Sequence, residues 1–480
     1  MNKFYITTAI PYVNGAPHIG HAYEFVITDA IARYYRLQGI PTILLTGADE
    51  NALKNVQAAE KQGLTVQQLC DQNSQKFREL FDLLGVKYDI FQRGSDQQKH
   101  WPGVVKLWQL CVKSGDIYKK KYRGLYCVSC EFFYPETELV DGLCPVHKLK
   151  PELVEEENYF FRLSKYEQQL KLLIEQDQIK IYPQSRKNET LGFIKQGLED
   201  ISISRSNERA KNWGVPVPDD PSQRIYVWFD ALDIYQTGVG FGIDDAEYTK
   251  WWPADAHVIG KDIYRFHTVY WPAILLSAGL PLPKTILIHG FLNVDGEKMS
   301  KTLGNVVDPF TFISNLEQQG LTKDTAVDAL RYYLLTQPIT DDGDFSVKRF
   351  RELYNANLAN GLGNLVARVA KLCEKNGVIA QEPPEYFTDG KLDAYIFDFK
   401  TNEALALVWS KISVLDREIN EKTPWLLSGN GATVVLEEIV HATQEIAVRL
   451  KPFLSHTAEK ILQQFSGKIT VQPPLFPRLP

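Results

Sequence analysis

Residues 3–49 read KFYITTAIPYVNGAPHIGHAYEFVITDAIARYYRLQGIPTILLTGAD, and this stretch decides the fold. KFYITTAI is apolar and rich in β-formers, which predicts a strand. PYVNGAPHIG, with two Pro and two Gly, predicts a loop. HAYEFVITDAIARYYRLQG sets Ala22, Phe25, Val26 and the pair Asp29-Ala30 at helical spacing, and Gly39 marks the stop. TILLTGAD then predicts a buried strand. Strand, helix and strand in succession make a βαβ unit, which calls for a parallel sheet in an α/β fold.

The rhythm returns further on. QRIYVWFDA and AHVIG predict strands, KDIYRFHTVYWPAILLSAGL a helix and TILIHGFL another strand. Residues 116–223 lie between the halves and carry a cysteine cluster with charged connecting segments, as a domain inserted into a split α/β fold would. From about residue 351 the pattern is helical as far as the Pro-rich tail QPPLFPRLP. The Gly-rich dinucleotide fingerprint is absent, since GVGFG at 238–242 has the wrong spacing.

At 480 residues the chain has room for two to four domains. Its 44% hydrophobic and 23% charged residues are ordinary globular values. No segment approaches the run of about 20 apolar residues that a membrane span needs. The N-terminus lacks a signal peptide's long apolar core, so a cytoplasmic protein is expected. A net charge of -6 means that any polyanion must meet local basic patches.

Three constellations carry chemistry. Pro17-His18-Ile19-Gly20-His21 sits where the first loop enters its helix. Free backbone N–H groups and a partial positive charge gather there and suit phosphate, and two imidazoles add donors. Gly20 removes a side chain where a flat base could lie. Lys298-Met299-Ser300-Lys301-Thr302 lies in the loop VDGEKMSKTLGN. Two lysines three apart between glycines suit a cationic lid over a triphosphate, although a solvated basic turn reads the same way. Cys127-x2-Cys130-x13-Cys144-x2-His147 has the build of a closed tetrahedral Zn2+ site, structural because no ligand position stays open.

The first two motifs, HIGH early and KMSKT late, resemble the paired signatures of class I aminoacyl-tRNA synthetases. The segment from Ala9 to His21, YVWFDA at 226–231, GKDIYRFH at 260–267 and HGFLNVDGEKMSK are similar to the methionyl-tRNA synthetase family over nearly the whole chain. The resemblance implies a Rossmann-like, nucleotidyltransferase-type catalytic fold at 1–115 and 224–291 and a connective insertion with a zinc knuckle at 116–223. It further implies a lid and stem-contact region at 292–350 and an α-helical anticodon-binding domain at 351–480.

The family's reaction joins L-methionine to ATP, taken with Mg2+, and passes the methionyl group from the adenylate to the 3′ end of tRNA(Met), initiator or elongator. By resemblance, His18, His21, Lys298 and Lys301 are catalytic, and Gly20, Glu24, Gly260 and Asp262 complete the ATP side. The methionine pocket maps onto Ala9, Ile10, Tyr12, Asp49, Trp228, Tyr235, Phe266 and His267, with Asp49 on the ammonium group. Aromatic walls suit a thioether, which offers little to hydrogen-bond.

Asn360, Asn364 and Arg368 stand four apart on one helix face, and Trp425 is an aromatic able to stack a loop base. In the family these positions read the anticodon; a polar helix face with a half-buried Trp is the plain alternative. Two departures stand out. Where many relatives read TDEHG, this chain reads Ala48-Asp49-Glu50-Asn51-Ala52, and Thr302 replaces a final Ser. A branched-chain or cysteinyl synthetase fits less well, lacking here a large editing insertion or a pocket zinc ligand. A degenerate, non-catalytic tRNA binder would have lost HIGH or the lid lysines. With no appended dimerisation domain, a monomer is expected.

Overall fold

The computed structural model describes residues 3–129, 132–134, 136–145, 148–299, 304–385 and 389–480. Two compact units divide the chain. The first comprises 1–17, 42–79 and 88–289, and the second 18–41, 80–87 and 290–480.

The first unit is built on a parallel sheet. Its strands are β1 Phe4–Thr7, β2 Thr42–Ala48, β3 Ile90–Arg93, β4 Lys180–Tyr182, β5 Ala256–Gly260 and β6 Thr285–His289. Their order is β3-β2-β1-β5-β6-β4, with every neighbouring pair parallel. Every residue of β1, β5 and β6 is buried, as expected of parallel strands covered on both faces. The chain lays β1, β2 and β3 outward in one direction and later resumes at β5 on the other side of β1. The direction therefore switches between β1 and β5, and in open α/β sheets the ligand crevice opens at the carboxyl ends of the strands at such a point.

Three expectations need correction here. YVWFDA is not a strand: the strand Asp220–Ile225 stops before it, and Val227–Thr237 is an α-helix. All eleven residues of that helix are buried. A helix buried on every side shows no clear 3.6-residue period, so its short aromatic run is indistinguishable from a buried strand. The single helix expected over KDIYRFHTVYWPAILLSAGL is broken into a 3-10 turn Lys261–Ile263, a π-helical turn Phe266–Tyr270 and an α-helix Trp271–Ala278. Finally, β4 falls inside the range read as insertion yet forms the edge of the main sheet beside β6.

The rest of that range carries an antiparallel sheet, ordered Phe132–Tyr134, Ile117–Cys127, Glu152–Phe161, Ile201–Ser202. Its charged segments are cross-strand partners: Lys121 faces Glu157 and Arg123 faces Glu155. Opposite charges directly across a ladder favour that register.

The second unit is largely helical and includes the long first helix Ile19–Leu37, with one short parallel strand pair, Leu292–Val294 beside Gly343–Phe345. Its interior is knotted by Arg331, which is 1% exposed and ion-pairs with the buried Asp29 at 2.8 Å. Arg331 also donates to the carbonyls of Phe453 at 2.8 Å, Leu84 at 3.2 Å and Pro452 at 3.3 Å. Burial alone would raise the Asp29 pKa, but Arg331, Arg33 and the Lys87 N–H outweigh it and hold the carboxylate charged. Among the described residues no helix is long and apolar enough to cross a membrane.

Candidate active site

The residues after the carboxyl ends of β1, β2 and β5 form one wall system in the first unit. Tyr12, in the loop after β1, makes a parallel bridge with Asp49, just beyond β2, whose N–H donates to Pro11 O at 2.9 Å. Asp49 is 2% exposed, and Asn55 Nδ2 donates to its carbonyl at 2.9 Å. Gly260 ends β5. A Cβ there would come within 3.0 Å of Asp262 Oδ1, so glycine leaves room for that carboxylate in the turn that follows.

Trp228 projects from the start of the helix Val227–Thr237, and Phe266 opens the π-helical turn. Their rings stack at 3.7 Å with an interplanar angle of 4°, and Tyr12 meets Trp228 edge-on at 6.0 Å. A π-turn shifts the side chains that follow it relative to a regular helix and recurs at functional sites. Here it sets Phe266 and His267 side by side. Tyr12, Trp228, Phe266 and Asp262 line a cavity of about 290 Å3, together with Lys54 and Tyr270. Ser129, Tyr134 and Pro145 of the insertion add to its wall. Lys54 Nζ stands 3.1 Å from the Tyr12 ring centroid and donates to Ser129 O at 3.2 Å. The sequence reading passed over Lys54 and the insertion's contribution, because nothing in a lysine on an amphipathic helix or in a Ser between two Cys signals a shared cavity.

Tyr235 and His267 stand behind this surface, both essentially buried. Trp228 and Tyr235 are seven residues apart and share a helix face. His267 Nδ1 lies 3.0 Å from Ile263 O, which only accepts, so Nδ1 carries the proton. Nε2, 2.8 Å from Tyr235 Oη, is then the acceptor and the tyrosine donates. Burial pushes the His267 pKa down to about 4, keeping the ring neutral. Ala9 and Ile10 pack on the surrounding apolar core and are not among the residues lining the cavity.

In the second unit, His18 is the N-cap of the first helix. Its Nδ1 accepts from Gly20 N–H at 3.1 Å, and His21 Nδ1 accepts from His18 N–H at 3.1 Å. This reciprocal capping box places both ring protons on Nε2, so each imidazole presents a neutral N–H donor. Burial, then the neighbouring His18, depresses the His21 pKa well below the usual imidazole value. A Cβ on Gly20 would meet His18 Cε1 at 3.0 Å and Met299 Cε at 3.1 Å, so the two signature motifs lie close together and a side chain at Gly20 would have to push one of these neighbours aside. Lys298 Nζ lies 4.6 Å from the Phe291 ring centroid, and its carbonyl accepts from Asn305 Nδ2 at 3.3 Å. Lys301 and Thr302 lie outside the described residues. Glu24 is buried one turn further along the first helix.

The anticodon candidates divide. Asn360 lies in a π-helical stretch, Tyr354–Gly363, and is exposed; Asn364 opens the α-helix Asn364–Asn376 and is exposed as well. The regular four-residue spacing expected for Asn360 therefore meets a wider turn. Arg368 is drawn to Trp425, with the guanidinium 5.5 Å from the ring centroid, and to Asp416 at 3.3 Å. Trp425 is 43% exposed, open to a stacking partner.

Of the zinc ligands expected from sequence, Cys127 and Cys144 are buried in one small cluster with Tyr134 and Leu139. Cys130 and His147 lie outside the described residues, and among the described residues no group of three or more ligand-type side chains gathers.

Comparison with known proteins decides the family. The family described as tRNA synthetases class I (M) matches residues 4–370. The chain belongs to the methionyl-tRNA synthetases. It is 42% identical to the methionine–tRNA ligase of Clostridium acetobutylicum over 97% of this chain and 73% of that one. With the Thermotoga maritima methionine–tRNA ligase it shares 40% over 97% of this chain and 75% of that one. A solved structure of Mycobacterium tuberculosis methionyl-tRNA synthetase in complex with methionyl-adenylate superposes with a TM-score of 0.90 at 36% identity, covering all of both chains. The free form of that enzyme superposes with a TM-score of 0.83 at 33% identity, covering 100% of this chain and 99% of that one.

Proposed function

We infer that this methionine–tRNA ligase holds methionine against the Trp228–Phe266 stack, with Tyr12 closing one side and Asp49 facing the ammonium group. The stacked pair carries the reading. Two rings in van der Waals contact present a broad, polarisable and rigid wall, which suits a flexible thioether. His267 and Tyr235 back that wall with a neutral hydrogen-bonded pair, so no charge competes for the apolar side chain.

The activity is ATP-dependent formation of methionyl-adenylate, followed by transfer of the methionyl group to the 3′ end of tRNA. In the first step the methionine carboxylate attacks the α-phosphorus of ATP and pyrophosphate leaves. His18 and His21 would donate Nε2–H to phosphate oxygens from the helix N-terminus, and by the family resemblance Gly20, Glu24, Gly260 and Asp262 would each contribute to ATP binding. Lys298 and Lys301 would neutralise charge building on the departing pyrophosphate. No side chain forms a covalent intermediate; positioning and electrostatics supply the rate. Mg2+ bound with ATP would supply neutralisation of part of the triphosphate charge.

The buried thiols of Cys127 and Cys144 fit two ligands of a structural zinc site, completed by Cys130 and His147, which would fix the insertion's fold. Arg368 and Trp425, with Asn360 and Asn364, would read the anticodon of tRNA(Met), the arginine by hydrogen bonds and the tryptophan by stacking. A cytoplasmic monomer is part of the same proposal.

ATP–pyrophosphate exchange measured across the twenty amino acids tests the reading: exchange should depend on methionine alone. Lys301→Ala should cripple that exchange while leaving methionine binding largely intact, and unchanged exchange would sink the role given to Lys301.

A further inference from the structure

The helix Val227–Thr237 has two working faces. Trp228 and Tyr235 occupy the one toward the methionine wall. Asp230 and Thr237, also seven apart, occupy another, and both are bound by one imidazole. His100, fully buried, lies 2.7 Å from Asp230 Oδ1 through Nε2 and 2.7 Å from Thr237 Oγ1 through Nδ1. The second Asp230 oxygen accepts from Asn51 Nδ2 at 2.6 Å. The other hydrogen of that amide goes to Gly94 O at 2.8 Å, beyond the end of β3.

Asn51 is two residues beyond Asp49, and Asp230 is two residues beyond Trp228. One side-chain amide thus joins the loop that carries the ammonium acceptor to the helix that carries the aromatic wall. In a helix a two-residue step turns about 200°, so Asp230 points away from the pocket when Trp228 points into it. Clamping Asp230 from both sides fixes the helix's rotation, and with it the ring plane that Phe266 stacks on. Asn51 Oδ1 is buried without a hydrogen-bond partner among the described residues, so the amide's orientation is set by its two donor bonds. This position is where the chain departs from TDEHG. An amide reaches Asp230 and Gly94 O together because it has two donors on one nitrogen, whereas a neutral imidazole has one.

We propose that Asn51 is a positioning residue for methionine recognition, holding the Asp49 loop and the Trp228 helix in register through Asp230. The proposal rests on the pocket assigned above. It is tested by methionine and ATP KM values in ATP–pyrophosphate exchange for Asn51→Ser, Asn51→His, Asp230→Asn and the double variant Asn51→Ser/Asp230→Asn, with thermal melting alongside. Asn51→Ser is too short to reach Asp230. It should raise the methionine KM roughly tenfold, the size of one lost charge-assisted hydrogen bond, and leave the ATP KM unchanged.

Asn51→His restores a donor to Asp230 and should recover most of the loss. The double variant should be no worse than the worse single one, because the two residues act as a unit. A lowered melting temperature with an unchanged methionine KM overturns the proposal, as do additive effects in the double variant or a histidine variant as impaired as serine. If Asn51→Ser does not fold, Asp230→Asn alone must still raise the methionine KM. Asp49→Asn separates the two readings. An unchanged methionine KM there overturns the pocket itself, whereas a raised one with a normal Asn51→Ser overturns only the clamp.

Discussion

His267 makes the pocket sensitive to acid, and the size of the effect follows from its surroundings. The ring is 1% exposed, donates through Nδ1 to Ile263 O and accepts through Nε2 from Tyr235. Protonation would place a charge in an apolar interior and remove the acceptor that satisfies the tyrosine hydroxyl. Its folded pKa of about 4 lies below the unfolded value of 6.5. Between these values the unfolded chain binds a proton that the folded chain does not, so stability is full above the unfolded pKa and is lost as pH falls toward 4. At about 1.4 kcal/mol per unit, the whole shift is worth about 3 kcal/mol, of which about 2 kcal/mol is lost between pH 8 and pH 5.

The perturbation is His267→Gln, which keeps one donor and one acceptor but does not titrate. Loss of ring packing in the variant is independent of pH, so only the slope carries the test. Urea unfolding of both proteins at pH 8, 6 and 5 should show wild type losing about 2 kcal/mol more than the variant over that range. Other groups titrate in both proteins and cancel. His257, whose ring lies 6.3 Å from His267, is held neutral chiefly by burial, which both proteins share. Asp233, raised by burial to about 7, has the opposite sign, since its contribution falls as pH rises from the ordinary carboxylate range toward 7. The methionine KM of wild type should hold between pH 8 and pH 5 so far as His267 sets it, because the folded ring gains its proton only near pH 4. Equal pH slopes for the two proteins would refute the assignment of a neutral, buried His267.

Arg331→Met should destabilise the second unit by roughly 3–5 kcal/mol, because it strands the Asp29 carboxylate in the interior; a loss under 1 kcal/mol in denaturant melts would count against the buried pair. Arg368→Ala should weaken aminoacylation by raising the tRNA KM while leaving ATP–pyrophosphate exchange untouched, and equal damage to both assays would remove it from the anticodon surface. Cys144→Ser should lower the zinc content found by metal analysis of the purified protein, and an undiminished content would exclude this thiol as a ligand.

Much of the fold was legible because its signals are local. β1, the first helix and β2 appear where residues 3–49 put them, since a Pro- and Gly-rich loop and an amphipathic repeat leave few alternatives. The helix holding Trp228 was misread because its signal is global: burial on every side erases the period that distinguishes helix from strand. The fate of β4 was equally hidden. A three-residue strand has no pattern of its own, and its place beside β6 depends on about a hundred residues of intervening chain.

The site was legible where chemistry constrains residue type and obscure where it constrains only geometry. HIGH and the lid lysines stand out because phosphate chemistry needs donors and cations in a loop or at a helix start. Tyr12, Trp228 and Phe266 carry no such mark in their residue types and are named only through the family resemblance; the 3.7 Å stack and the cavity beside it bring them together. The altered loop after Asp49 shows the reverse case. Read alone, Asn51 in place of a relative's histidine suggests a damaged motif. With Asp230 at 2.6 Å and Gly94 O at 2.8 Å, Asn51 uses two donors on one nitrogen, where a neutral imidazole has one. A departure from a family pattern is therefore weighed by the bonds the new side chain makes, and here Asn51 bonds both Asp230 and Gly94 O.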